Sequence, residues 1–361
     1  MAAMTCIQEI SKSRENNGTV SILPYPATYF NYSIHVLLVI CYVVSICISL
    51  VANALLVYIL VLRKNSTSSF DYQLVNLCIS HFVASVIVIP YVFILDVGQV
   101  APEQFRNITC VFTEGLQIFF IACGVSLIML CVISYNRVIA TLYPYKRHLL
   151  MSKRMVVVVD IVSWIIMVIT MFPSMLAQTY FPEVRLCIQD LQSVGLVIKP
   201  ISYRMGQLVA SLLLPLVWVL ASYASIRLSL RRRRHITGQA QSQGNMTLAK
   251  ASKLLGYQIL TLCIGWFPFM TYWFVYGATD LIQGSCQSQV SSIKWHRLSI
   301  LFGVINAAAD PLIYLIGAND NKKIVVDMYR KVSPFFKISH TVRRQSIQLA
   351  NFKSYIQTVE D

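Results

Sequence analysis

Seven stretches of the chain are apolar on nearly every side and long enough, at about 20 residues, for a helix to cross a bilayer. They cover residues 34–62, 74–95, 111–142, 155–177, 205–230, 254–277 and 298–317. None shows the one-sided apolar stripe of a helix packed on a soluble core. Five carry an internal proline: Pro90, Pro173, Pro215, Pro268 and Pro311. Proline argues against helix in water, but in a membrane bundle neighbouring groups satisfy the carbonyl it frees. The pattern predicts an all-α membrane protein, a seven-transmembrane helix bundle over residues 34–317. Residues 1–33 read as a polar tail without the apolar core of a secretory signal, so the first span is expected to act as its own anchor.

Composition agrees with this pattern. The chain is 56% hydrophobic and only 12% charged, whereas a soluble domain is about a quarter charged. So few charges do not cover a water-soluble globule of this size, and a lipid bilayer is the expected surround. The net charge of +15 does not point to nucleic acid, because the basic residues lie between the apolar runs and not along one face. Of the 30 Lys and Arg, 22 fall on one side of the predicted membrane, in the loops after spans one, three and five and in the C-terminal tail. The basic side is expected to be cytoplasmic and the N-terminus extracellular. On that topology the sequons at Asn17, Asn31 and Asn107 face outside and those at Asn65 and Asn245 do not. Cys6, Cys110, Cys187 and Cys286 also face outside and allow three pairings. The pairing expected joins Cys110 to Cys187 and Cys6 to Cys286. No metal-ligand spacing, nucleophile elbow or phosphate-binding loop is present, so neither an enzyme nor a cofactor is expected.

Short motifs then narrow the class. The first span holds Asn53. The third ends I-S-Y-N-R-V-I-A-T-L-Y-P, with Asn136, Arg137 and Val138 in the places of a D-R-Y element. The fourth holds Trp164 and Pro173, and the fifth Pro215 with Tyr223 two turns on. The sixth reads G-W-F-P, with Trp266 and Pro268, and the seventh N-A-A-A-D-P-L-I-Y, with Asp310, Pro311 and Tyr314. Seven such elements in order, each at the right end of its span, resemble the rhodopsin-like G-protein-coupled receptors. The resemblance implies a multi-pass plasma-membrane receptor that carries an extracellular signal to a heterotrimeric G protein, with arrestin and receptor kinases as further partners. It implies a short amphipathic eighth helix at residues 318–331, followed by a cytoplasmic tail at 332–361. It also implies that Arg137 meets the G protein when the sixth helix swings outward on Pro268. Trp266 would sense ligand, and Tyr223 and Tyr314 would turn inward.

The chain departs from the family in three places. Asn136 stands where an aspartate usually precedes the arginine, and Leu248 where an acid often stands at the foot of the sixth helix. A weakened resting state with raised basal signalling is expected. His81 stands in the place of the sodium-binding aspartate, while Ser126 and Asn306 keep polar places around that cavity and Asp310 brings a carboxylate from the seventh span. His81 and Asp310 are expected to pair or, equally, His81 to remain neutral and hydrogen-bonded to water. Histidine exchanges its proton near neutral pH, so the paired form would make signalling pH-dependent, and sodium is expected to act weakly. Lastly, Cys110 lies 27 residues before Arg137, two more than usual, which predicts a bulged or raised top to the third helix.

The outer half bears on the ligand. Phe119 stands eighteen residues before Arg137, where receptors for biogenic amines carry an aspartate. Val304 stands where opsins carry the retinal lysine. An apolar pocket with a few polar groups is expected from Tyr91, Phe119, Phe120, Gln207, Phe269, Trp273 and His296, with Arg204 and Arg297 near its mouth. The alternative is that the aromatics pack between helices and the arginines form a solvated rim. The two arginines suit a carboxylate, from a peptide C-terminus or a lipid acid. The expected ligand is therefore an extracellular peptide or a small lipophilic molecule. A seven-helix scavenging or silent receptor is the alternative, and a transporter a weaker one, since no internal repeat is found.

Overall fold

The computed structural model describes residues 32–62, 69–94, 97–113, 116–143, 145–182, 186–189, 200–237, 243–279 and 286–317. Seven helices among them are long and apolar enough to span a membrane. We number these α1 (Tyr32–Leu62), α2 (Ser69–Phe93), α3 (Gln117–Leu142), α4 (Lys153–Leu176), α5 (Leu214–Thr237), α6 (Gln243–Thr279) and α7 (Cys286–Gly317). The residues fall into two compact units, 1–313 and 314–361, and of the second only 314–317 are described. The eighth helix expected at 318–331, and the tail after it, lie outside the described residues.

The apolar runs explain both the helices and their packing. Every residue of α3 from Ile121 to Leu127 is buried, which makes α3 the core of the first unit. The outward faces of the other helices carry large apolar side chains in the open, among them Val51 (68% exposed), Ile169 (66%) and Phe267 (70%). A surface of that kind suits hydrocarbon and not water. The chain is a multi-pass helical membrane protein. Apolar content, however, does not mark where a helix begins. α6 starts eleven residues before Leu254 and α7 twelve before Leu298, because polar residues continue a helix beyond the bilayer without breaking it.

The third span is not one helix. A two-turn helix, Arg106–Phe112, carries Cys110 and ends at Thr113 (φ −102°, ψ −92°). α3 then starts after Leu116, which is left-handed at φ 50°, ψ 20°. This break takes up the two extra residues between Cys110 and Arg137. A left-handed leucine costs about 1–2 kcal/mol, and its fully buried side chain offsets that cost. α5 is also irregular: the helix Pro200–Leu208 passes through a π-turn, Val209–Leu213, just before Pro215. A proline removes one helical hydrogen bond, and the wider turn accommodates the gap.

At the disulfide end, Gln178–Phe181 and Leu186–Gln189 form an antiparallel hairpin, β1 and β2, with Tyr180 opposite Cys187. It is the one addition to an otherwise helical fold among the described residues. Cys110 and Cys187 are bonded, with Cα atoms 5.6 Å apart. Asn107 Oδ1 accepts the Tyr180 N–H at 2.9 Å, and the Arg106 guanidinium lies 5.4 Å from the Tyr180 ring centre. Cys6 lies outside the described residues, as does the side chain of Cys286.

Candidate functional site

A buried polar group occupies the middle of the bundle. Asn53, His81, Ser126, Asn306 and Asp310 are all buried. His81 Nε2 lies 3.7 Å from Asp310 Oδ2, and Thr261 donates its hydroxyl to Asp310 Oδ1 at 3.1 Å. Beside them α1, α2 and α7 are laced together. Asn53 Nδ2 donates to Ala307 O (3.2 Å) and to Ser49 O (2.8 Å). Ser85 donates to Ser49 Oγ at 2.7 Å, and Ser49 to Ala307 O at 3.2 Å. Ser126 Oγ instead donates to its own helix, at Cys123 O (2.7 Å). His81 Nδ1 and Asn306 Oδ1 are buried without a hydrogen-bond partner.

Gly265 sets the approach of α6 to α7 beside this group. A Cβ at Gly265 would lie 2.7 Å from Asn306 Cβ and 3.1 Å from the Phe302 carbonyl oxygen. Nine residues nearer the Arg137 end, Gly256 receives the ring of Tyr223, whose hydroxyl would lie 2.9 Å from an added Cβ. Pro268 and Pro311 lie inside α6 and α7. Tyr314 is the first residue of the second unit.

At the last turns of α3 the Arg137 guanidinium stacks on the Phe70 ring, 4.3 Å from its centre. Asn136 does not use its amide oxygen on α3; it accepts the Met151 N–H at 3.2 Å and ties down the loop before α4. Leu248 lies in α6, its side chain outside the described set.

Toward the disulfide end the rings form a chain of contacts. Tyr42 meets Tyr91 (6.3 Å between centres), Tyr91 meets His296 (6.4 Å), and His296 meets Tyr272 (5.3 Å). Tyr272 meets Phe269 (6.5 Å), which touches both Phe120 (5.1 Å) and Trp266 (5.6 Å), and Phe119 closes on Trp266 (6.5 Å). Arg297 is 8% exposed, with its guanidinium 5.3 Å from the Tyr91 ring centre. Gln207 stands apart from this chain. Its Nε2 donates to Tyr203 (2.7 Å), Thr170 O (3.0 Å) and Ser174 (3.3 Å), clamping the α5 side to α4. The side chains of Arg204 and Trp273 lie outside the described set.

Sequence patterns did not single out Phe70, Ser49, Ser85 or Thr261 for these sites. Small hydroxyl residues inside apolar runs were the available signal for the serines and Thr261. Phe70 lies beyond the second apolar run, where nothing in the pattern ties it to Arg137.

Seven membrane-length helices around a buried polar centre, with one hairpin bonded to the third span, are the frame of a membrane receptor. Residues 52–314 match the family described as 7 transmembrane receptor (rhodopsin family), and the chain belongs to that family, which is one of receptors and not of enzymes. It is also similar to the alpha-1A adrenergic receptor of Oryzias latipes, at 20% identity over 323 residues. That alignment covers 78% of this chain and 64% of the relative's length.

Proposed function

We propose that the chain is a plasma-membrane receptor with its disulfide end outside, which passes an extracellular signal to a heterotrimeric G protein at its Arg137 end. The ligand is a peptide or a small lipophilic molecule rather than a biogenic amine. The observation that carries the ligand reading is the ring chain from Tyr42 to Phe119, with Phe119 buried against Trp266 and Phe120. No carboxylate stands at that place to hold an amine. The adrenergic specificity in the relative's name is therefore not carried over. Basic-residue asymmetry supports the orientation, and it makes Asn107, which is exposed, the proposed glycan acceptor among the described residues. Asn17 and Asn31 lie outside them. Arrestin and receptor kinases are proposed as partners of the tail.

On this reading the Phe70–Arg137 stack helps to hold the resting state. A cation–π contact contributes about 0.5–2 kcal/mol. Phe70→Ala therefore raises ligand-free signalling by roughly twofold to thirtyfold while output is far from saturation, and Phe70→Tyr leaves it close to wild type. Equal basal output in all three at matched surface expression would remove Phe70 from the switch. The wider test is a panel of G-protein activation assays in expressing cells, first without ligand and then with peptide and lipid libraries. Coupling to at least one subtype is expected. A scavenging or silent receptor is the second reading, supported by the commitment of Asn136 to the Met151 backbone instead of to Arg137. Silence across the whole panel would favour it.

A further inference from the structure

A charged side chain at the edge of the bilayer is costly to bury without an opposite charge. Arg297 is more than nine-tenths buried, yet no described carboxylate pairs with it. The guanidinium stacks on the Tyr91 ring, which also meets the ring of His296. His35 stands seven residues before Tyr42 on the same face of α1. His296 Nδ1 is 3.5 Å from the Tyr91 hydroxyl. His35 Nε2 is buried with no hydrogen-bond partner. The backbone here is fixed, since Tyr42 donates its hydroxyl to Arg297 O at 2.6 Å. α1, α2 and α7 thus bring a buried cation and an imidazole nitrogen without a hydrogen-bond partner to the same end of the bundle, with no anion paired to either among the described residues.

We propose that this corner is a preformed anion site, in which Arg297 and His35 receive the carboxylate of an acid whose apolar body lies along Tyr272, Phe269 and Phe120 toward Trp266. Arginine presents its donors in a planar fork that matches a carboxylate's two oxygens, and His35 Nε2 adds a further donor when it carries its proton. The ring chain leads from the charged corner to Trp266, so an acid with an apolar or aromatic body meets both ends at once. The acid is either a free fatty acid or a peptide C-terminus. The site deepens the proposed receptor function by naming the chemistry its ligand must carry.

Binding to the full chain in phosphatidylcholine nanodiscs tests this without any G protein. In one arm dodecanoate is compared with dodecanol; in the other, an acetylated tripeptide ending in phenylalanine is compared as free acid and as amide. Apparent affinity is read from the rise in melting temperature across a concentration series. At least one acid binds more tightly than its neutral twin, and the arm in which this happens names the source. Arg297→Gln weakens that acid by roughly 30-fold or more and leaves the neutral twin unchanged. Should Arg297→Gln fail to fold, Arg297→Lys keeps the charge but loses the fork, and weakens the acid severalfold. His35→Ala weakens it by a smaller factor. The proposal is overturned if neither acid is preferred in the wild type, or if the preference survives at full strength in the Arg297 variant that folds. Acid preference without a G-protein response would remove the receptor function and leave the site. A response without acid preference would do the reverse.

Discussion

Replacing His81 with leucine destabilises the bundle by about 1–3 kcal/mol, the range for leaving a buried polar partner unsatisfied. Asp310 Oδ2 loses the imidazole 3.7 Å away, and Thr261 remains on the other carboxylate oxygen. Asp310→Leu leaves the imidazole in the same position, buried and with Nδ1 already unsatisfied. The double replacement recovers a large part of either loss, because an apolar pair of similar volume needs no compensation. Melting of the three variants in one lipid composition gives the coupling between the sites. Losses that simply add would show that the two residues are neighbours without being partners. The same pair bears on ion sensitivity. With a histidine in place of the second-span acid, sodium changes agonist affinity little, and strong sodium inhibition would contradict the pairing.

The second large effect comes from a missing side chain. Gly265→Ala drives a methyl group into Asn306 Cβ and the Phe302 carbonyl. Neither is the free end of a flexible chain, so α6 and α7 must part. Overpacking of this kind costs about 1–3 kcal/mol, and the strain falls one residue before Trp266, where α6 meets the ring chain. Stability is expected to fall, and ligand-free signalling to change with it. By contrast, Gly124→Ala meets the flexible side chain of Met167, from Cε back to Cγ, with no backbone atom among its nearest contacts, and is expected to be the milder variant. Equal stability of the two alanine variants would contradict this reading of the helix contacts.

Much of the bundle was legible in the sequence because its driving force is legible. A run of apolar residues longer than a bilayer is thick has few other ways to fold, and the ends of the runs lie within about a turn of the helix ends where loops are short. The exceptions have physical causes. The break between Phe112 and Gln117 turns on a left-handed leucine, a residue type that carries no turn signal. The π-turn before Pro215 depends on how the helix absorbs the proline, which the proline alone does not specify. Of the candidate site, Asn53, His81 and Asp310 stood out as polar residues in apolar surroundings, whereas Arg297 stood out as a basic residue near the mouth of the expected pocket. Gln207 stood out in the same way, yet its amide is spent on α4. Polarity tells that a buried group needs partners, but not on which side it finds them. Phe70 and His35 were missed because each matters only through a neighbour distant in sequence.

On the proposed function, Arg137 belongs to a G-protein switch whose resting state lacks the usual acidic restraint at Asn136. Ligand-free nucleotide exchange, with purified receptor in nanodiscs and a panel of G proteins, tests it most directly, comparing the wild type with Asn136→Asp. The wild type should accelerate exchange on at least one G protein without ligand, and the aspartate variant, folded equally well, should lower that rate. No acceleration on any G protein, or an aspartate variant as active as the wild type, would show that Arg137 is not such a switch.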